Sequence, residues 1–510
     1  DPNQLNQLLH KQLDPIALSR GEVIAQGLPA SPGAAVGEVV FTASEAYEKA
    51  KSGLDVILVR TETSPEDIDG MHSSKGILTA RGGMTSHAAV VARGMGTCCV
   101  AGCSDILIDE RAKTLTIRSK DIVIKEGEFI SLDGSTGKVY KGKLGTQDPS
   151  LSGNFGTLMK WSDKFRKMGV RTNADTPHDA EVARKFGAEG IGLCRTEHMF
   201  FEGERIKAVR EMILAGDLEA RKKALAKIYP YQKGDFAGLF RAMDGLGVTI
   251  RLLDAPLHEF LPKEKKDIAD LAKEMKVTEK TLESKIEDLH EFNPMLGHRG
   301  VRLAITYPEI YDMQAEAIID AAIEVAKEKV KVSPEIMIPI VATTKEFSIM
   351  KERIVNIVEK KIKEAKMKIN YKIGTMIEVP RAALIADKIV SAGAEFFSFG
   401  TNDLTQMGVG LSRDDAGKFL KEYVAQDIFA YDPFEVLDQE GVGELIRIAI
   451  KKGRSVKKDL KIGICGEHGG EPKTVEFCFR EGFTYVSCSP FRVPIARLAA
   501  AQAVVRGRKK

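Results

Sequence analysis

Apolar residues recur along this chain in two rhythms. Between residues 16 and 142 they come as short runs, GEVVFT (37–42), DVILVR (55–60), LTIRS (115–119) and EFISLDG (128–134), parted by turn residues. Such runs predict small β-rich structure with a few helices. Within it, residues 73–102 read as a strand, a Gly-Gly turn and a helix from about Ser86. From about residue 165 the rhythm changes. Apolar runs at 170–175, 190–197, 248–254, 335–342, 371–379, 395–403 and 461–469 alternate with helix-like stretches such as 177–189 and 311–331. A less obvious eighth run is HRGVRL (298–303). Eight strands alternating with helices predict parallel βα units closed into a barrel. The long segments 202–246, 255–292 and 410–455 are then helical insertions around its rim. Residues 1–15 read as a linker, the tail of a polar helix, and 143–164 as a second linker. The expected fold class is α/β: a small domain over 16–142, then a (β/α)8 TIM-type barrel over 165–510.

Composition narrows the function classes. The chain has 510 residues, 43% hydrophobic and 29% charged, with a net charge of +3. That balance gives no pull toward nucleic acid or an anionic membrane. No apolar run reaches the roughly 18 residues of a transmembrane helix. The basic end at 507–510 reads as a solvated tail. Seven cysteines, an odd number at irregular spacing and without paired CxxC motifs, suit reduced thiols in a cytoplasmic setting. The polar start resembles no signal peptide, and the first residue is Asp, so a processed or excised piece of a longer protein is expected.

Two constellations carry chemistry. The first is GGMTSHAAVVARGMG (82–96). Gly82 and Gly83 permit a tight turn, Thr85 and Ser86 suit a helix N-cap, and His87 falls in the first helical turn beside free N–H groups. An imidazole there can hold a phosphoryl group on nitrogen, although a lone histidine near a helix start is more often structural. The second is polar: Asn173, Arg195, Arg251, Arg299, Glu378, Asn402, Asp403 and Cys465 lie on or just after strand candidates, where barrels catalyse. Glu378 and Asp403 are hard oxygen donors suited to Mg²⁺. Arg195, Arg251 and Arg299 offer planar forks for carboxylate or phosphate. Ion pairs stiffening a barrel rim would leave the same pattern. Cys465 suits either a thiol that cycles its proton or a small packed residue. His298 reads as structural, and Cys98, Cys99 and Cys103 as packing residues.

The motif at 82–96 resembles the phosphohistidine segment of the phosphoenolpyruvate-utilising enzymes, and EFFSFGTNDLTQ (395–406) resembles their second motif. NPMLGHRGVRL (293–303) and GICGEHGG (463–470) fit the same family. Within it the wording is closest to the dikinase branch. The resemblance implies a swivelling phosphohistidine domain ahead of a phosphoenolpyruvate/pyruvate-binding barrel. It also implies His87 as phospho-carrier, Arg195, Arg251 and Arg299 on the phosphoryl group, and Glu378 and Asp403 on Mg²⁺. Gly400, Thr401, Asn402 and Asp403 would position the substrate carboxylate, and Cys465 would be the acid/base toward C3. Thr85 matches a position phosphorylated for control in plant members. A homodimer through the barrel is implied as well. The family's dikinases carry a nucleotide-binding domain ahead of the linker. No P-loop is present here, so the chain is expected to lack the ATP and phosphate half-reactions. Phosphoenolpyruvate synthase and enzyme I of the sugar phosphotransferase system are the alternative readings in the family, and a non-catalytic scaffold the alternative outside it. The NPMLGHRGVRL wording disfavours the synthase. Enzyme I would need a helical carrier site before the histidine, and none is visible in 16–80.

Overall fold

A computed structural model describes the chain except for residues 65–66, 85, 148–152, 202–204, 263–264, 276, 292, 418 and 508–510. It falls into two compact units, Asp1–Trp161 and Ser162–Lys510. The expected regulatory Thr85, part of the second linker (148–152) and most of the basic tail lie outside the described residues.

The first unit is built on an eight-stranded mixed sheet. Its parallel core runs Ala34–Val40, Val56–Arg60, Gly76–Thr79 and Cys98–Ala101, flanked by antiparallel neighbours. Both faces of the core are covered, so alternate residues of one strand feed two different cores. Ile57 and Val59 pack with Leu115, Ile117 and Ile124 of a small three-stranded sheet. Val56 and Leu58 pack instead with Ala88, Ala89 and Ala92 of the helix His87–Met95. Those three alanines let the helix lie close on the sheet and so fix where its first residue, His87, stands. Cys98, Cys99 and Cys103 are buried packing residues, as expected.

The linkers differ from expectation. Pro2–Leu8 is a 3-10 helix, and it leads to Gln12–Leu13, which pairs antiparallel with Thr146–Gln147. The Asp14 amide donates to the Gly145 carbonyl at 2.8 Å, extending the ribbon. The two ends of the β-rich body are thus paired in one ribbon, and just ahead of it the Lys11 carbonyl accepts the Ala34 amide at 2.7 Å.

The second unit is a closed parallel barrel: β1 (Gly169–Asn173), β2 (Gly190–Arg195), β3 (Gly247–Arg251), β4 (Ser333–Ile338), β5 (Lys372–Ile377), β6 (Phe396–Gly400), β7 (Lys461–Cys465) and β8 (Tyr485–Cys488). The eighth strand is thus Tyr485–Cys488. HRGVRL instead enters a short helix, Gly300–Thr306, whose Val301, Leu303 and Ala304 are buried. Six residues of mixed polarity do not distinguish strand from helix by period. The rim expectation also needs correction. Leu218–Ala242 and Val442–Val456 bury regular apolar faces and belong to the outer ring of helices. Two segments keep the character of excursions: 255–292, with a small core of Leu261, Ile268, Leu271 and Leu282 beside Leu214, and 410–441, with Ala416, Leu420 and Phe434.

Several outer helices start with strong local signals. Thr343 and Glu346 form a reciprocal capping box, Thr176 caps through the Asp179 amide, and Pro opens the helices at 177, 308, 380 and 472. Near the N-terminal ends of the strands an ionic cluster fills the barrel. Glu335 receives Arg171 at 2.9 Å and Thr249 at 2.8 Å, and also pairs with Lys461. The Arg171 guanidinium lies 4.5 Å over the Tyr485 ring.

Candidate active site

In the first unit, Gly82 turns the chain at φ +115°, a conformation that suits glycine. Ser86 is then the N-cap residue, although its hydroxyl makes no capping hydrogen bond, and His87 opens the helix. The Nδ1 of His87 lies 3.0 Å from the Thr63 hydroxyl. In the tautomer whose Nδ1–H donates to that hydroxyl, Nε2 keeps its lone pair. Partial burial lowers the imidazole pKa, and the charge of Asp67 opposes that shift. The ring is therefore neutral near pH 7.

In the second unit, the polar residues singled out in the sequence converge at the C-terminal ends of the strands. Arg195 and Arg251 end β2 and β3, Glu378 follows β5, Gly400 ends β6, and Cys465 ends β7. Thr401, Asn402 and Asp403 form the first turn of the helix that follows β6. Arg299 precedes the short helix at 300 and reaches inward. Its guanidinium grips Asp254 at 2.7 and 3.0 Å and Asp403 at 3.3 Å. Arg251 bridges Asp254 at 3.1 Å and also binds Glu197. Arg195 stands 3.8 Å from Asp175, which accepts the Arg195 amide at 2.6 Å.

Asp254 was not singled out by sequence reasoning, yet it is central. It is fully buried, and its carboxylate oxygens lie within 4.8 Å of those of Glu378 and Asp403. Its position at the end of VTIRLLD, three residues past Arg251, was the available signal. Ile340 was missed as well. Its φ of +57° is a strained conformation for a β-branched residue. That conformation accompanies an amide hydrogen bond to Glu378 at 2.7 Å.

Three carboxylates share this cavity with two guanidiniums. Burial, reinforced by the charges of Asp254 and Asp403, pushes the Glu378 pKa well above the usual carboxylate range, and the arginines offset this only in part. Asp254 is also buried, but Arg251 and Arg299 outweigh that and hold it low. Three hard carboxylate oxygens gathered this closely, with only two guanidiniums against them, fit a divalent cation such as Mg²⁺. The Cys465 thiol sits at the same strand ends, 3.5 Å from the Ser398 hydroxyl and 3.6 Å from the Phe399 carbonyl. Burial raises its pKa, so it rests as a thiol. Leu193, Met337, Met376 and Phe396 make an apolar floor around it. His298, read as structural, hydrogen-bonds Thr306 at 2.9 Å.

Comparison with known proteins gives a consistent picture. Residues 149–505 match the family described as PEP-utilising enzyme, PEP-binding domain, and residues 54–137 match PEP-utilising enzyme, mobile domain. A Clostridium symbiosum protein named pyruvate, phosphate dikinase is 58% identical over 509 residues, covering 100% of this chain and 58% of that protein. A Rhizobium meliloti protein of the same name is 58% identical, with 100% and 56% covered. Its chloroplastic namesake from Arabidopsis thaliana is 59% identical, with 99% and 52% covered. The chain spans about half the length of the curated relatives it matches. Among the described residues, no helix is long and apolar enough to cross a membrane.

Proposed function

The chain belongs to the PEP-utilising enzymes, and from that premise we propose that it transfers a phosphoryl group between phosphoenolpyruvate and His87, releasing or consuming pyruvate. The reading is supported chiefly by the convergence of Asp254, Glu378, Asp403, Arg251, Arg299 and Cys465 on one barrel mouth. The dikinase names of relatives at this identity support that branch over the synthase and enzyme I.

In this reading Arg195, Arg251 and Arg299 donate to the phosphoryl oxygens, while amides of the Gly400–Asp403 segment meet the substrate carboxylate. Nε2 of His87 attacks phosphorus in line as the bond to the bridging oxygen breaks, leaving the pyruvate enolate. Cys465 gives its proton to C3, and the electron pair of the enolate closes the new C–H bond. Glu378, Asp403 and Asp254 would hold Mg²⁺, which when bound supplies charge neutralisation and polarises substrate oxygens. Water is kept from C3 by the Leu193 and Met376 floor.

His87 and the barrel site belong to different units, and the same reading assigns the smaller unit a swivel, with the linkers as hinge. The same reading assigns the whole protein the ATP- and phosphate-dependent steps through a nucleotide-binding domain. It also assigns a homodimer through the barrel and a cytoplasmic or organellar location. Incubation with phosphoenolpyruvate and Mg²⁺ followed by intact mass measurement tests it. An acid-labile phosphate on His87 is expected, and an unchanged mass would refute it.

A further inference from the structure

His468 lies outside the ring of charge, in the 3-10 turn Glu467–Gly470 after β7, and it is fully buried. Its two nitrogens reach different parts of the rim. Nδ1 is 2.7 Å from the Thr401 hydroxyl, and Nε2 is 2.9 Å from the Pro433 carbonyl. Thr401 immediately precedes Asn402 and Asp403. Pro433 belongs to the stretch of chain that leads from the Thr401–Val409 helix to the outer helix Val442–Val456. The turn itself presses on the same segment: a Cβ at Gly466 would stand 3.0 Å from Asn402 Oδ1 and 3.3 Å from Thr401 Oγ1.

Elementary chemistry fixes the protons. A carbonyl only accepts, so Nε2 carries the hydrogen and donates it to Pro433. Burial holds the His468 pKa at about 4, so near pH 7 the ring is neutral and Nδ1 keeps its lone pair. The Thr401 hydroxyl then donates to Nδ1. The other acceptor in its reach, the Cys465 carbonyl at 3.2 Å, takes the lesser share of that hydrogen. The imidazole is therefore a one-way brace, with its donor side on the rim stretch and its acceptor side on the substrate segment.

We propose that His468 is a positioning residue whose imidazole braces Thr401 against the rim at Pro433 and so sets the pose in which Asn402 and Asp403 meet the substrate and its cation. The inference rests on the function proposed above, because it takes 400–403 as the seat of substrate and metal. A residue that merely filled space at 468 would alter stability when changed and leave binding constants alone.

The test compares His468→Gln, Thr401→Val and the double variant with the unaltered chain. Melting temperature, Mn²⁺ affinity by electron paramagnetic resonance, and the KM for phosphoenolpyruvate and kcat of isotope exchange between phosphoenolpyruvate and pyruvate are measured. Each single variant should raise KM and weaken Mn²⁺ binding about tenfold, with kcat changed less, since a buried hydrogen bond and the pose it fixes are lost. The double variant should be no worse than the worse single one, because both remove the same brace. A folded His468→Gln chain with unaltered KM and Mn²⁺ affinity would overturn the proposal, as would multiplicative effects in the double variant. Should His468→Gln not fold, Thr401→Val decides alone, and unaltered constants there overturn it. Failure of the unaltered chain to label His87 would bring down the underlying function instead, and this inference with it.

Discussion

The hydroxyl of Thr63 stands 3.0 Å from Nδ1 of His87, across a loop and 24 positions of sequence. In the proposed mechanism Nδ1–H donates to the hydroxyl, which leaves the Nε2 lone pair to react. Thr63→Val should slow His87 labelling about tenfold, the usual scale for one hydrogen bond that orients a nucleophile. Because burial lowers the ring's pKa below 6.5, the neutral nucleophile persists as pH falls. The labelling rate of the unaltered chain should fall with acid through a midpoint below pH 6.5. A rate that already halves at pH 7 would contradict the assignment.

Removing Glu378 separates activity from stability. Glu378→Gln should lower labelling at least about a hundredfold, by loss of a charge that the cavity offers a cation. Its melting temperature without metal should not fall, since the buried carboxylate is disfavoured where it stands. Mg²⁺ should raise the melting temperature of the unaltered chain, by about 2.7 kcal/mol of stability at a hundredfold excess over its dissociation constant, and should leave the variant unmoved. Calorimetric scans with and without Mg²⁺ read both effects.

Asp254 holds Arg251 and Arg299 together, so Asp254→Ala leaves two buried cations short of a partner. The loss should be about 3 kcal/mol, read by urea denaturation, together with loss of labelling. Asp254→Asn, which keeps a hydrogen-bond acceptor, should lose less stability and the same activity.

Cys465→Ala should still allow phosphate to reach His87 from phosphoenolpyruvate, since the thiol serves C3 rather than phosphorus. Exchange of the pyruvate methyl protons with deuterium, followed by NMR, should vanish. Persistent exchange in this variant would remove the thiol from the mechanism.

The ionic cluster low in the barrel makes stability depend on pH. Arg171 and Lys461 outweigh the burial of Glu335 and hold its pKa at about 2, against the ordinary 4.5 of a free glutamate. Lys461 itself is lowered to about 8, because burial and Arg171 outweigh the same carboxylate. A carboxyl lowered on folding contributes its stability above pH 4.5 and loses it as pH falls toward 2, about 3 kcal/mol in all. Melting curves between pH 6 and 2 should show that decline. Glu335→Gln should flatten it while losing stability at pH 7, where Arg171 and Lys461 are left without their anion.

The barrel was largely legible because seven of its strands lie in apolar runs, four of them closed by Asn173, Arg195, Arg251 and Cys465. The eighth was not. Tyr485–Cys488 has four residues, too short for a period, while 298–303 imitated one. The site followed the same rule. Residues at strand ends could be read off, but no local signal says which carboxylates meet. Asp254, Glu378 and Asp403 are far apart in sequence and converge only when the barrel closes. Thr63 and His468 were illegible as partners for a related reason. A hydroxyl on a loop and an imidazole in a turn gain meaning only from the atom that packing places opposite.

The ribbon formed by Gln12–Leu13 and Thr146–Gln147 has a topological corollary. The pairing ties the two ends of the β-rich body to each other, so that the chain between them is one closed loop. Two threads zipped side by side share any strain imposed on either, so neither end of that body frays without the other.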